Sequence, residues 1–241
     1  ARRMERFCYR RADRIIALTE GIRDGIIESG VPAGKVTLIT NGVDLDIGAD
    51  PEPVALAPDE FVAMYVGAHG TYSALDTLLG AARASEPGVR FVLVGGGDQK
   101  QGLMARAAEQ GLDNVTFVDP VPKKDVPSWL ARADVCLLPY QDVPLFAGAL
   151  PNKAFDYLGA GRPVIACAPR GELTRLIEAS GCGLNIPPED PGALASAVAA
   201  LRADRAGAER MGAAGRSWVR AHYDRAELAR RFVGLVGGLV R

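Results

Sequence analysis

The stretch that decides the fold is Phe61-Val-Ala-Met-Tyr-Val-Gly-Ala-His-Gly70, in which an apolar run leads directly into a loop bounded by glycines. An apolar run of this length without polar alternation is typical of a strand that is buried on both faces. Helical spacing follows over residues 73–84. The segment therefore predicts one strand–loop–helix unit.

The same unit recurs along the chain. Further strands are predicted over residues 90–94, 115–118, 135–138, 163–166 and 183–186, and further helices over 99–110, 124–131, 152–159, 171–179 and 191–202. Such alternation predicts a parallel sheet with helices on both faces, which is a doubly wound, Rossmann-like α/β domain.

Segments with other patterns flank this domain. A basic helix over residues 2–11, strands over 14–19 and 36–40, and a helix over 20–28 with Thr19 as its N-cap are predicted first. We divide the chain into residues 1–45, a linker over 46–59 rich in Pro, Ala and acidic residues, a main domain over 60–222, and a C-terminal helix over 223–241 that follows a break near Tyr223-Asp224. Because the chain begins with Ala1 and a helix is already under way, we expect that an N-terminal portion is missing.

Composition excludes several functions. The 28 basic and 29 acidic residues give a net charge of -1, which disfavours nucleic-acid binding. The four cysteines have no metal-ligand or redox spacing, so we expect reduced thiols and a cytoplasmic protein. No apolar run is long enough to cross a bilayer.

Three loops are candidate binding elements, because ligands of an open parallel sheet bind at the carboxyl ends of the strands. Gly67-Ala-His-Gly70 could let backbone N–H groups approach a phosphate at a helix N-terminus, and the alternative is a tight turn with an incidental His69. Gly95-Gly-Gly-Asp98 is not the spaced dinucleotide fingerprint, so a nicotinamide enzyme is disfavoured, and alone it indicates close backbone approach or a tight turn.

The third loop leads into a helix at Pro151-Asn-Lys-Ala-Phe-Asp156. Lys153 and Asp156 are three residues apart and share a helix face, so one could meet a phosphate and the other could accept hydrogen bonds from hydroxyls. The alternative is a local Lys–Asp ion pair on a solvated face.

In order and spacing, several motifs together resemble the retaining GT-B glycosyltransferases of family 4, over nearly the whole chain. These are Ala12-Asp-Arg-Ile-Ile-Ala-Leu-Thr19, Ile39-Thr-Asn-Gly-Val-Asp44, Tyr65-Val-Gly-Ala-His-Gly70, Val94-Gly-Gly-Gly-Asp98, Ala133-Asp-Val135 and Asp156-Tyr-Leu-Gly-Ala-Gly-Arg-Pro163. The resemblance implies a GT-B fold in which residues 1–45 end the N-terminal acceptor domain and residues 60–222 bind the donor.

The resemblance also implies the donor-binding residues, which would be Gly67, His69, Gly70, Gly96, Val121, Lys153 and Asp156. The loop at Gly67 would hold the donor diphosphate, residues near Val121 would flank the base, and Asp156 would bind the ribose hydroxyls. Lys153 would hold the diphosphate and, as the catalytic residue, stabilise it as it leaves. No metal or other cofactor is expected, and the nucleotide-sugar is expected to be a UDP-sugar.

The sequence departs from the family pattern at two positions. In the family's E-x7-E motif the first Glu would fall at Gly148, and the second falls at Asp156, whose side chain is one methylene shorter. The resemblance implies transfer of a sugar to a glycan or lipid-linked acceptor in cell-surface polysaccharide biosynthesis, with poor turnover by this chain alone.

Two alternatives stay open. They are a UDP-sugar 2-epimerase, which the Ile39-to-Asp44 signature disfavours, and a non-catalytic nucleotide-sugar-binding module, which the missing Glu at Gly148 favours. The basic helix and the tail could contact an anionic membrane surface, although packing against the domain is the simpler expectation.

Overall fold

The computed structural model describes residues 2–44 and 59–239, and its first part forms a small layer of helices on a two-stranded sheet. Its elements are α1 (Arg2–Arg11), β1 (Ile15–Ala17), α2 (Glu20–Glu28) and β2 (Val36–Leu38). The two strands pair in parallel. Thr19 caps α2 as predicted, because its side chain accepts a hydrogen bond from the Ile22 amide.

The second part is the predicted alternation of strands and helices. Its elements are β3 (Phe61–Val66), α3 (Asp76–Ala84), β4 (Val89–Val94), α4 (Lys100–Glu109), β5 (Val115–Val118), α5 (Val126–Leu130), β6 (Val135–Pro139), α6 (Asn152–Gly159), β7 (Val164–Cys167), α7 (Glu172–Ser180), β8 (Gly183–Ile186), α8 (Pro191–Ala203), α9 (Arg205–His222) and α10 (Arg225–Gly237).

The sheet of this second part has the strand order β5-β4-β3-β6-β7-β8. All of its pairings are parallel, as the buried apolar strands predict. The chain moves outward from β3 on one side and outward from β6 on the other. The crevice between the carboxyl ends of β3 and β6 is therefore the topological switch point, where ligands of such sheets bind.

The side chains of β3 enter two cores, one on each face of the sheet. Val62 and Met64 belong to one core, and Phe61, Ala63 and Tyr65 belong to the other. This alternation is the reason why the strand carries no polar pattern: both of its faces are covered by helices.

Two predicted helices begin later than the sequence pattern indicates. The helix predicted from residue 73 begins at Asp76, because a short 3-10 helix (Thr71–Ser73) and a left-handed Ala74 with φ 41° precede it. The helix predicted from residue 124 begins at Val126, after a 3-10 helix at Lys123–Asp125. Short 3-10 turns are frequent at the N-termini of α-helices, and residue spacing does not distinguish such a turn from the first turn of the helix.

The tail is helical, with the break where it is predicted. α9 ends at His222, α10 begins at Arg225, and Asp224 forms an isolated bridge with Val43. The linker predicted over residues 46–59 lies outside the described residues except for Asp59, which is in a turn. None of the helices in the described ranges is long and apolar enough to cross a membrane.

Candidate functional site

Two glycine loops pack together above β3 and β4. The Gly67 amide donates to the Val94 carbonyl (2.9 Å), and the His69 amide donates to the Gly96 carbonyl (2.8 Å). A Cβ at Gly95, where φ is +144°, would lie 1.9 Å from the Gly67 carbonyl oxygen. The close backbone approach predicted for this loop is therefore an approach to the neighbouring loop, which it supports from below.

The loop from Gly67 to Gly70 offers free backbone donors. Ala68 is exposed, and within the described ranges the amides of Ala68 and Gly70 have no hydrogen-bond acceptor. The loop leads into the 3-10 helix at Thr71–Ser73, whose N-cap is Gly70, and this turn together with Ala74 separates it from the start of α3. Backbone N–H groups in an irregular loop can still form a concave anion site without a helix dipole.

Lys153 places a cation beside this loop. A Cβ at Gly67 would lie 3.0 Å from the Lys153 Nζ, so a side chain here would require the ammonium to shift. The Nζ donates to the Tyr65 hydroxyl (2.8 Å) and lies 4.4 Å from the centre of that ring. Burial lowers the pKa of Lys153 from 10.5 to about 8.

Lys153 has no carboxylate partner among the described residues, and burial alone accounts for its pKa. The ion pair with Asp156 that sequence spacing allows is not formed. A buried ammonium without a counter-ion is costly to a fold, and such groups cluster at functional sites. The arrangement therefore has one formal positive charge to offer to an anion at the switch point.

Asp156 lies one helical turn further along the same helix and is half-buried. Burial raises the pKa of its carboxyl group, and the positive charges of Lys123 and Arg225 oppose that rise. Asp156 therefore lies toward the 3-10 turn at Lys123–Asp125, which directly follows Val121 and Pro122. Val121 is half-buried and packs against the core of that face.

His69 is completely buried. Its ring lies between those of Tyr65 (5.9 Å) and Phe117 (6.3 Å), and neither ring nitrogen has a hydrogen-bond partner. Burial lowers the pKa of His69 to about 4, with smaller contributions from Lys100 and Lys153. The imidazole is therefore neutral at pH 7 and lies beneath the loop, and the loop presents the backbone of His69 to a ligand.

The 3-10 turn that ends at Gly148 faces the N-terminal part of the chain. The Gly148 carbonyl accepts a hydrogen bond from the Thr19 hydroxyl (2.9 Å), and the nearby Glu172 accepts one from the Gly21 amide (2.7 Å). The position where the resemblance expects a glutamate thus contributes its backbone to a contact between the two parts.

Three side chains at the site were not predicted from the sequence. Tyr65 and Tyr140 surround Lys153, and Lys100 donates to the carbonyls of Gly95 and Val118 (3.0 and 2.9 Å) and to Asp119 (2.7 Å). For the two tyrosines the available signal was their position at or next to the carboxyl ends of two predicted strands. The order of the strands in the sheet, which brings those ends together, could not be predicted from the sequence.

Solved structures and family models identify this architecture. The doubly wound sheet has the GT-B fold: a crystal structure of Anabaena Alr3699/HepE in complex with UDP and glucose matches with a TM-score of 0.84 at 18% identity, over 98% of this chain and 66% of that one. A family model described as glycosyl transferases group 1 matches residues 60–204, and one described as glycosyltransferase family 4 matches residues 1–47. The chain belongs to the group 1 glycosyltransferases.

Curated relatives agree with this family. The chain is 31% identical over 223 residues to a GDP-mannose-dependent alpha-(1-6)-phosphatidylinositol monomannoside mannosyltransferase of Mycobacterium tuberculosis, with 86% of this chain and 57% of that protein covered. It is 24% identical over 206 residues to the probable glycosyltransferase WbjE of Pseudomonas aeruginosa, with 82% and 51% covered. The chain spans about half the length of the curated relatives it matches.

Proposed function

We propose that this chain forms the nucleotide-sugar-binding part of a glycosyltransferase that transfers a sugar to a glycan or lipid-linked acceptor, with retention, in cell-surface polysaccharide assembly. The observation that carries the proposal is the buried Lys153 ammonium, which has no carboxylate partner in the described part of the chain and lies beside Gly67. A nucleoside diphosphate supplies the negative charge that this position lacks.

In this proposal each part of the donor is bound by a different set of residues. The amides of Ala68 and Gly70 and the Lys153 ammonium hold the diphosphate, with Gly67 providing the space. Asp156 accepts hydrogen bonds from the ribose hydroxyls, and Val121 flanks the base. Gly96 holds the loop in place, because its carbonyl accepts a hydrogen bond from the His69 amide. The His69 ring is buried beneath the loop and does not contact the donor.

Transfer breaks the bond between the anomeric carbon and the diphosphate oxygen, and the electron pair stays with the diphosphate. The acceptor hydroxyl oxygen bonds to that carbon, and its proton passes to the departing diphosphate. Lys153 contributes most at this stage, because negative charge develops on the leaving oxygen beside its ammonium. No described side chain needs to act through a metal ion in this scheme.

The base of the donor is proposed to be uracil, because the matched Anabaena structure contains UDP. The relative named as GDP-mannose-dependent makes guanine the alternative. A non-catalytic nucleotide-sugar-binding module is a second candidate, since Gly148 offers only its backbone where the resemblance expects a glutamate to contact the sugar.

The activity of the whole protein is tested by following nucleoside diphosphate release from UDP-, GDP- and ADP-sugars with a lipid-linked oligosaccharide as acceptor. The proposal predicts release from one class of donor, together with an extended acceptor whose new linkage keeps the donor's anomeric configuration. A rearranged sugar released without acceptor would indicate an epimerase. Tight donor binding without turnover would indicate a binding module.

A further inference from the structure

Tyr65 and Tyr140 lie beside the Lys153 ammonium, where a buried lysine usually has a carboxylate partner. We propose that Tyr65 and Tyr140 are positioning residues that hold the Lys153 ammonium without neutralising it, so that binding of an anionic ligand at Gly67 above neutral pH is accompanied by uptake of a proton at Lys153. The inference rests on the proposed function in that the ligand is taken to be a nucleoside diphosphate.

The strand order brings the two tyrosines to the same ammonium. Tyr65 is the fifth residue of β3, Tyr140 directly follows β6, and these two strands pair at the switch point. Lys153 is in the first turn of α6, and its Nζ lies 4.4 Å from the Tyr65 ring centre and 5.5 Å from that of Tyr140. Both ring distances are within the range of cation–π attraction.

A hydrogen-bond chain connects the ammonium to the glycine loop. Lys153 donates to the Tyr65 hydroxyl (2.8 Å), and that hydroxyl donates to the Ala68 carbonyl (2.7 Å). The Ser73 hydroxyl lies 3.0 Å from the Tyr65 oxygen and 3.2 Å from the Ala68 carbonyl. Tyr65 therefore fixes the ammonium relative to the loop whose free amides lie beside it.

The groups that face Lys153 leave its charge uncompensated. They are Tyr65 from β3, Tyr140 after β6 and His69 from the loop, while Tyr157 and Asp156 are the neighbouring titratable groups on its own helix. Burial raises the pKa of each of the three tyrosines, and His69 is neutral, so none of these four supplies a negative charge at pH 7 to 9. Asp156 forms no ion pair with Lys153.

The consequence is a proton-linked affinity. The pKa of Lys153 is about 8 in the free chain, and a bound diphosphate favours the charged form and raises that pKa. Affinity therefore falls by up to roughly tenfold per pH unit above the free-chain pKa. The terminal phosphate of the ligand ionises at about pH 6. Its own titration therefore does not contribute to the proton uptake above pH 7.

The inference is tested on the 241-residue chain with two readouts at pH 6.5 to 10.5. Lysine side-chain NMR follows the titration of Lys153, whose signal is assigned by its loss in Lys153→Met. Calorimetry with UDP and with methyl phosphate, a phosphate monoester whose second ionisation lies at about pH 6, counts the protons taken up on binding in buffers of different ionisation enthalpy. Thermal melting confirms that each variant is folded.

The variants separate the hydroxyl from the rings. Tyr65→Phe removes the hydrogen-bond acceptor of the ammonium and should lower the titration midpoint by about one pH unit, since a hydrogen bond to a charged group favours the charged form by that order. Tyr140→Leu removes a ring face and should lower the midpoint as well. Tyr140→Phe keeps the ring and should leave the midpoint unchanged.

A Lys153 that titrates near its ordinary value of 10.5, or a midpoint that Tyr65→Phe does not move, would overturn the inference. UDP affinity that is constant from pH 7 to 9.5 would also overturn it and would leave the proposed function standing. Proton uptake with methyl phosphate above pH 7 but no affinity for any nucleotide would support the inference and contradict the proposed function.

Discussion

Lys153 is held in a state that the fold alone would not favour. Its ammonium is largely buried, has tyrosines and a glycine around it, and forms no ion pair within the described residues. Desolvating a cation costs free energy that packing does not return. A site that binds an anion explains why the cost is tolerated, and two predictions follow from it.

Replacing Lys153 with Met keeps most of the side-chain volume and removes the charge. We expect nucleoside diphosphate affinity to fall by about tenfold to a hundredfold, because a charge-assisted hydrogen bond contributes roughly 1.5 to 3 kcal/mol. Calorimetric titration at pH 7 measures the change. Lys124→Met, at an exposed position, is the matched control and should leave affinity unchanged. Equal affinities in the two variants would remove Lys153 from the site.

The same substitution should stabilise the free chain. Below pH 8 folded Lys153 carries its charge and the full burial penalty, which for a pKa lowered from 10.5 to about 8 is on the order of 3 kcal/mol. Between pH 8 and 10.5 the unfolded lysine keeps its proton and the folded one loses it, so wild-type stability rises. Denaturant unfolding at pH 7 and pH 10 should show the advantage of Lys153→Met shrinking; an advantage that is equal at both pH values would contradict this account.

The sequence predicts which residues lie at this site better than it predicts their burial and their partners. Lys153 and Asp156 are recognisable as a helix-face pair, but the spacing does not show that the lysine is desolvated or that the pair is open. The burial of His69 beneath the loop is equally hidden, since a histidine between Ala68 and Gly70 gives no sign of which way its ring turns.

At the scale of elements, the second glycine loop acts on the first. The positions Gly95 and Gly97 have positive φ values of 144° and 152°, and a Cβ at either would enter the backbone of the first loop, at Gly67 or His69. Glycine is thus required both by conformation and by space. The loop that is proposed to hold the diphosphate owes its shape to this contact.

Gly95→Ala should therefore disturb both loops. The added Cβ would lie 1.9 Å from the Gly67 carbonyl oxygen, so the backbone must shift and we expect a loss of about 3 kcal/mol or more of unfolding free energy. Gly111→Ala is the matched control: its φ is also positive, at +63°, but nothing lies within 4 Å of the new atom. Its expected loss is about 1 kcal/mol. Denaturant unfolding compares them, and similar losses would argue against packing of the two loops as the reason for the glycine.

The order and type of the elements could be predicted from sequence periodicity. The starts of α3 and α5 could not. Strands such as β3 and β6 are bounded by glycine, proline or aspartate and are apolar throughout, so their positions could be predicted within a residue or two. The left-handed conformation of Ala74 could not be predicted, because alanine rarely adopts it.

At the scale of the whole molecule, the two parts of the chain are joined by polar contacts on both sides of residues 45–58. The N-terminus of α2 receives the Glu172 carboxylate from α7. Arg225 of α10 donates to the Gly42 carbonyl (2.7 Å) and pairs with Asp44 (2.9 Å). Polar contacts of this kind are weak one by one, and the buried Val43 adds an apolar contact with the core of the second part.

Glu172→Ala should loosen one of these contacts and leave the sheet intact. The Gly21 amide then loses its acceptor, and the helix N-terminus loses a favourable carboxylate. We expect amide hydrogen exchange across α2 to rise several-fold, with β3 to β7 unchanged. Glu86→Ala, at an exposed site, is the control. Unchanged exchange in α2 would show that the contact does not hold the helix.

The whole-molecule arrangement is the level that the sequence predicts least. Alternating elements predict a parallel sheet and a right-handed winding, but they do not specify that β3 and β6 are neighbours. The convergence of Tyr65, Tyr140 and Lys153 on one point depends on that pairing. The donor-binding roles were predicted from the family resemblance, whereas the placement of the two tyrosines around Lys153 became apparent only from the strand order.

The most direct test of the central claim is calorimetric titration of the chain with UDP, GDP and ADP at pH 7 without added metal. The account predicts selective binding of one nucleotide, with UDP expected, and loss of that binding in Lys153→Met but not in Lys124→Met. Absence of binding to all three nucleotides, or binding that is indifferent to Lys153, would contradict it.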